Sequence, residues 1–424
     1  MTASQGARPA PVPPSPAPQP GSLPLAGLKI VELSSYVASP LAGLTLAQLG
    51  ADVIRVEPSG GAADRTRLPV HPSGTSLYWA GLNRNKRAIE VDLTSAEGRG
   101  LVSDLIVRAG TLISNTERHR DLSYPELSAR RPDLVHVQLT GRHNGDTAVD
   151  YTVQAATGFP MVTGAHPADP VNHVLPAWDV AAGLYLATAL LAADRHRLLS
   201  GAGQYLRVAL EDVALATAGS LGFLAEAQLT EIPRQRCGNY VHGTFGRDFV
   251  TADGHRLMLV VLTRRHWRDL LSITGVTETV AALEKELNAD FAQESERFRH
   301  RVPLAEMFAA WFRERTVDEA EAALGSTRIL WSRYRTFGDW AQDDARLLRD
   351  NPLLVELHQP GIGTYLAPGS PIVTAARNPP RPAPGIGEHT EEVLRDELGL
   401  SAQELRKLRD ARVLGGPPRA ETPR

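Results

Sequence analysis

The residue whose type and setting most suggest chemistry is a single acid. In VNHVLPAWDVAAGLYLATALLAADRHRLLSGAGQ, from Val171 to Gln204, Asp179 precedes fourteen residues without a charge, Val180 to Ala193. A carboxylate there faces the positive end of a helix dipole and an apolar wall in place of bulk water. It would stay ionised yet poorly solvated, which suits a nucleophile. The same position also suits a helix N-cap, where the carboxylate only accepts backbone N–H bonds, and on residue types alone capping is the commoner use.

Other candidates are grouped along the chain. Arg65 with Arg67, and the run Asn83-Arg84-Asn85-Lys86-Arg87, offer planar donor forks and a point charge that a ligand with several phosphates would need, although most charge runs are solvated surface. The glycine-rich loop Gly238 to Gly246, with Arg247-Asp248 behind it, reads either as a plain linker into a hairpin or as a lid. As a lid, its N–H groups would meet a carboxylate or oxyanion while closure excludes water. The turn after the first strand-like run is Ser34-Ser35-Tyr36-Val37-Ala38-Ser39-Pro40, without the glycines that let a backbone approach a pyrophosphate, so NAD and FAD are excluded. It still precedes a helix N-terminus and could hold another anionic group. No G-x-S-x-G elbow occurs, none of the thirteen histidines forms a close helical pair with a glutamate, and no metal site is expected.

The elements that must position these residues follow from pattern and composition. At 424 residues with 42% apolar content the chain can bury two cores. A net charge of −3 makes nucleic acid and anionic membrane unlikely partners. Cys237 is the single cysteine, which excludes an internal disulfide and fits a reducing compartment, the cytoplasm by default. The uncharged run Val180 to Ala193 is shorter than the roughly 20 residues that span a bilayer. Residues 1–24 are proline-rich and, with 413–424, are expected to be disordered tails.

Between the tails, strand-like runs alternate with capped helices: Leu28 to Leu33, a helix entered at Ser39, Asp52 to Glu57, Arg87 to Leu93, a helix opened by the capping box Thr94 to Glu97, Thr111 to Asn115, a helix opened at Ser123, and Leu134 to Thr140. Such alternation predicts an α/β fold with a parallel sheet covered on both faces. From Cys237 a hairpin about Asp253-Gly254 and the amphipathic RRHWRDLLSITG predict a smaller α/β domain. The expected division is a large domain over 25–230, a small one over 235–335, and a return to the large domain over 340–412, where GEHTEEVLRDELGLSAQELRKL forms two polar helices.

Taken together, GLKIVELSSYVASPLAGLTLAQLGADVIRVEP, LNRNKRAIEVDL, VDYTVQAATGFPMVTG, the Asp179 segment closing in GAGQ, and GEHTEEVL resemble the class III coenzyme A transferases, a match covering nearly everything between the tails. LTGRHNGDTAVDYT, VNHVLPAWD and GNYVHGTFGRDF resemble those members that move CoA between the two carboxyls of one unsaturated dicarboxylyl group.

The resemblance implies a Rossmann-like large domain built from both chain ends, a smaller α/β domain, and an interlocked homodimer. It makes Asp179 the nucleophile that turns an acyl-CoA into an aspartyl mixed anhydride. It places CoA against Tyr36, Val37, Ala38, Pro58, Arg67, Asn85, Lys86, Asn115 and Arg118, with no cofactor beyond CoA as part of the substrate. Arg142, Asn172, His173, Gly243, Gly246 and Arg247 are the candidates for holding the acyl group and its second carboxylate.

Departures from the family pattern bear on the site. Val37 stands where formyl-CoA transferase has a glutamine that contacts the catalytic carboxylate, so that polar role is absent or moved. After Asn115-Thr116 several residues of the usual loop are missing. Racemase relatives carry a catalytic histidine where this chain has Val149, which counts against racemisation. Transfer between two separate acids, or non-catalytic acyl-CoA binding, are the remaining readings.

Overall fold

A computed structural model describes residues 22–116, 119–165, 167, 169–231, 234–343 and 350–415. The chain divides into two compact units. One takes in the residues up to Val153, Leu175–Thr217, and those from Asn351 onward; the other is Gln154–Val174 with Ala218–Asp350. The boundaries differ from those expected, because the segment around Gly164 joins the second unit. There Gly238 N–H donates to the Gly164 carbonyl at 2.9 Å, Arg236 Nε donates to the Met161 carbonyl at 2.8 Å, and the Phe159 and Phe223 rings lie 5.7 Å apart. Pairings across more than 60 residues leave no trace in local periodicity.

The first unit is built on a six-stranded sheet: β1 (Lys29–Leu33), β2 (Asp52–Glu57), β3 (Arg87–Glu90), β4 (Thr111–Ser114), β5 (Val135–Thr140) and β6 (Gln204–Ala209). The strand order is β3-β2-β1-β4-β5-β6 and every pairing is parallel. In KIVEL and DVIRVE the apolar Ile30, Val31, Leu33, Val53, Ile54 and Val56 are buried, as strands covered on both faces require, and the charged Glu32, Arg55 and Glu57 are buried with them. This is the doubly wound Rossmann order, and it reverses between β1 and β4. Crevices for ligands open at the carboxyl ends of strands at such a switch point.

Helices α1 (Ala38–Gln48), α2 (Leu77–Asn83), α3 (Ala96–Ala109) and α4 (Tyr124–Arg130) connect the strands. Two helix starts differ from expectation. Helix α1 begins after Val37, with Ser39 inside it and fully buried. The cap of α3 is Ser95, whose Oγ accepts from Gly98 N–H at 3.0 Å, while Thr94 Oγ1 donates to Asp92. In both places a neighbouring residue takes the extended or cap conformation, a choice of one position that residue preference does not resolve. The closing helices Thr390–Leu398 and Ala402–Asp410 place Val393, Leu394, Leu405 and Leu408 in one core with Val31, Ile54, Ile89 and Leu105, so both chain ends build this unit.

Three further helices lead to the candidate site: α5 (Asp150–Ala156), α6 (Phe159–Val162) and α7 (Ala177–Ser200). Helix α7 is long and apolar enough by composition to cross a membrane. It nevertheless buries Trp178, Ala182, Leu186, Leu190 and Ala193 and packs on α1 and β5. At Gly183 a Cβ would lie 2.7 Å from the Ala38 carbonyl oxygen, so only glycine lets the start of α1 approach α7 one turn beyond Asp179. Gly201, at φ +73°, ends the helix in the left-handed conformation, which accounts for the GAGQ that follows.

The second unit carries an antiparallel sheet of β7 (Phe245–Val250), β8 (Arg256–Val261) and β9 (Leu330–Arg333), in that order. Its core is aromatic. Phe249 stacks on Phe312 at 4.5 Å, and Phe245, Trp267, Phe291 and Phe308 pack edge to face around them.

Candidate active site

Asp179 lies in the first turn of α7, where the N-cap position is Pro176 and no side chain of that residue caps the helix. The capping role belongs to Asp150, at the start of α5. Its Oδ2 accepts from Trp178 N–H at 2.7 Å and from Asp179 N–H at 3.1 Å. Asp150 is buried, and with it holding the free amides the Asp179 carboxylate is relieved of the task that would otherwise explain it. Burial pushes Asp179 up to about 6, repulsion from Asp150 adds to the rise, and Arg67 opposes it. The result is an acid still ionised at neutral pH but costly to keep so, a state that raises the nucleophilicity of a carboxylate.

The opposite charge is Arg67, from the segment between β2 and α2, which lies against the β1–α1 turn. Tyr36 sits at φ +69°, which a non-glycine residue adopts only when the surroundings require it. Its N–H donates to Asp64 Oδ2 at 2.9 Å, and Asp64 is held by both oxygens on Arg55 Nη2 at 3.2 and 3.3 Å. Arg67 lies across the faces of Tyr36 and Tyr78, its Cζ 5.3 and 5.4 Å from the two ring centres. Asn115, at the end of β4, donates Nδ2 to the Ser35 carbonyl at 2.9 Å and braces the turn from the other side of the switch point. Tyr36, Val37, Ala38, Pro58, Arg67 and Asn115 therefore gather at the carboxyl ends of β1, β2 and β4, with Pro58 exposed and Val37 and Ala38 buried.

Two expected phosphate contacts are placed elsewhere. Lys86 is buried, and its Nζ donates to Glu32 Oε1 at 3.0 Å, to the Pro40 carbonyl at 2.8 Å and to Asn83 Oδ1 at 2.9 Å, so all three protons are used. Burial lowers it to about 8 against the pull of Glu32. Asn85 is buried too, accepting from Arg381 N–H at 3.1 Å and donating to the Pro379 carbonyl at 3.0 Å. Lys86 and Asn85 thus act as fasteners between β1, α1 and the returning C-terminal segment, and the Lys86 charge is not offered to a phosphate. Arg118 lies outside the described residues.

The candidates for the acyl group fall in both units. Arg142 is in the first unit, paired with Glu211 at 2.6 Å. Asn172, His173, Gly243, Gly246 and Arg247 belong to the second. Asn172 is exposed, while His173 donates its N–H to Gln154 Oε1 at 2.9 Å with its Nε2 3.2 Å from Thr163 Oγ1. Arg247 donates to the Asp248 carbonyl and to Tyr240 Oη and lies 4.8 Å from the Tyr240 ring centre. Gly243, at φ +85°, lies in the loop with open space around it. Gly246 pairs in β7, where a Cβ would lie 3.0 Å from the Leu259 carbonyl. Among the described residues no cluster of three His, Cys, Asp or Glu side chains could hold a metal.

Two residues of the site escaped the sequence reading. Asp150 falls inside VDYTVQAATG, but its partner amides are 28 and 29 residues away and no spacing rule connects them. Tyr78, in SLYW just before the basic run, has a buried hydroxyl. Burial pushes that hydroxyl up to about 12, Arg67 opposes the rise, and the charge of Asp179 adds to it. Nothing in the residue types around Tyr78 marks it.

With this geometry in view, comparison with known proteins is informative. The model of CoA-transferase family III matches residues 25–390. The 2-methylfumaryl-CoA isomerase of Chloroflexus aurantiacus is 46% identical over 404 residues, covering 93% of this chain and 99% of that protein. The succinate–glutarate CoA-transferase of Agrobacterium fabrum is 31% identical, covering 88% and 95%. A CaiB/BaiF family crystal structure from Brucella suis superposes with a TM-score of 0.72 at 25% identity, over 88% of this chain and 99% of that one. A family match over most of its length, joined to a Rossmann-like unit with a poorly solvated aspartate at a helix start, leaves one assignment: the chain is an enzyme of CoA-transferase family III.

Proposed function

We propose that this enzyme moves CoA within one molecule, between the C1 and C4 carboxyls of 2-methylfumaryl-CoA or a close unsaturated dicarboxylyl analogue. The observation that carries the chemistry is Asp179, half-buried, not used as a cap, and raised to about 6. The observation that carries the substrate is the 46% identity to an isomerase across 93% of the chain.

In this reading the Asp179 carboxylate attacks the thioester carbonyl carbon, the C–S bond breaks, and CoA leaves as a thiolate beside an aspartyl mixed anhydride. The thiolate then attacks the Asp179 carbonyl, releasing the dicarboxylate and leaving an aspartyl thioester. The freed acid stays bound, turns, and attacks the aspartyl thioester through its other carboxylate, expelling the thiolate and re-forming an anhydride; the thiolate then attacks the substrate carbonyl and the Asp179 carboxylate leaves. Each step exchanges one activated acyl group for another of similar energy, which is the advantage of covalent catalysis here. Water must be excluded, since it would hydrolyse the anhydride, and buried Trp178 beside Asp179 contributes to that exclusion.

The working form we propose is a homodimer in the cytoplasm. Leu184 and Tyr185 on α7 are half exposed and Leu198 and Leu199 more so, an apolar face that a second copy would cover. Light scattering in solution should give twice the mass of the chain, and a monomer would refute the dimer.

The reaction is tested by incubating purified protein with either mesaconyl-CoA thioester and no free acid, then separating the C1 and C4 isomers by chromatography. Interconversion is expected, and in a parallel incubation with labelled mesaconate no label should enter the product. Conversion only when acid is supplied, with label in the product, would replace this reading by transfer between two acids, the activity named for the succinate–glutarate relative.

A further inference from the structure

The Tyr78 hydroxyl is a buried donor with no hydrogen-bond partner among the described residues. Buried hydroxyls are nearly always paired, so one left open beside a reactive acid points to a partner that arrives with the substrate. Two contacts set its position. Ser76 Oγ caps α2 by accepting from Trp79 N–H at 3.0 Å, and the same oxygen donates to the Arg67 carbonyl at 2.6 Å, so Tyr78 and Arg67 are held in one register. The Arg67 guanidinium covers the Tyr78 ring at 5.4 Å and the Tyr36 ring at 5.3 Å. On the α1 side of the turn stands Val37, whose side chain has no polar atom to offer.

We propose that Tyr78 is a catalytic residue whose hydroxyl donates a hydrogen bond to the thioester carbonyl oxygen as Asp179 attacks. This rests on Asp179 being the nucleophile. As the new C–O bond forms, the carbonyl π pair moves to oxygen. That negative charge is met by the Tyr78 O–H, and the pair returns to expel the thiolate. The proton stays on Tyr78 throughout, so nothing is consumed. Burial and the Asp179 charge keep this phenol up at about 12, so it remains a donor over the whole working range of pH. Arg67 over the ring makes the O–H more polar without competing for the oxygen. The donor is preorganised, because it gives up no existing bond, and its bond to the carbonyl oxygen strengthens as negative charge develops there, so it favours the transition state over the bound ground state.

The test is Tyr78→Phe, which keeps the ring under Arg67, measured beside Asp179→Ala with mesaconyl-CoA. The expected result is a fall in kcat of about 100-fold, as for loss of one oxyanion donor, with KM changed by less than about twofold and the acid limb of the pH profile unmoved. A kcat within about threefold of wild type, or a loss wholly in KM, overturns the proposal. A second readout needs no turnover: in Asp179→Asn, the carbonyl stretch of bound, unreacted acyl-CoA should lie at lower frequency than in Asp179→Asn with Tyr78→Phe. Equal frequencies overturn it. Should Asp179→Ala remain active, the nucleophile assignment itself fails; should it be dead while Tyr78→Phe is undiminished, only the role of Tyr78 fails.

Discussion

Two charged regions of the first unit lie a few residues apart and are organised in opposite ways. Under the β1–α1 turn, Glu32, Arg55, Glu57, Asp64, Arg65 and Lys86 form a buried network in which Arg55 meets three acids and Lys86 meets one, with neither exposed. Above it, Asp179 and Tyr78 are poorly solvated, Arg67 is exposed, and the Tyr78 hydroxyl is unpaired among the described residues. The lower layer neutralises its charges and gains a fixed geometry, which holds Tyr36 in its positive-φ conformation through Asp64. The upper layer leaves its charges incompletely matched and so retains something for a substrate to satisfy. The difference teaches where to look for chemistry. Charge alone does not mark a site, and a charge whose surroundings fail to compensate it does.

The comparison is broken most severely by Asp179→Ala. Turnover should fall by about 10⁴-fold or more while the fold is kept, checked by isomer chromatography and circular dichroism. Undiminished turnover would place the nucleophile elsewhere. In the lower layer Glu32→Gln should act on stability instead. It leaves Arg55 and Lys86 short of a buried counter-charge and should cost about 3–5 kcal/mol in denaturant unfolding. A loss under about 1 kcal/mol would mean that the layer tolerates unmatched charge as the site does.

A finer distinction comes from stability against pH. Asp179 is raised from 3.8 to about 6, so the fold prefers its protonated form; that preference is fully present below pH 4 and lost as pH climbs through 6. Asp179→Asn, which stays neutral, should therefore be more stable than wild type at pH 8 by about 1–2 kcal/mol, after allowing for the partly solvated carboxylate, and no different below pH 4. Melting curves at the two pH values decide it. The smallest effect expected is on the acid limb of kcat/KM, set near pH 6 by Asp179. Arg67→Met should move that limb upward and Asp150→Asn, which keeps a capping oxygen, should move it downward. A limb unmoved by both would detach the pH profile from Asp179.

Much of the first unit was legible because its signals are local. Runs of β-branched residues, glycine ends such as Gly201, and the amphipathic helices near the C-terminus each depend on a few neighbours. Asp179 was legible for the same reason, as one acid in front of an uncharged helix. Lys86 was misleading for the complementary reason. LNRNKR reads as an exposed basic run, yet the fold brings Glu32 from 54 residues away to bury its lysine.

What the sequence determined by itself is the order of elements, the parallel sheet and the acid at the start of α7, since hydrophobic period and turn chemistry act over a few residues. Only the tertiary structure decided which carboxylate caps that helix and which is left poorly solvated without that task, whether a lysine faces solvent or a buried glutamate, and that a tyrosine hydroxyl is left open. Solvation and hydrogen-bond partnership are properties of groups brought together from distant points on the chain, and they do not exist until it folds.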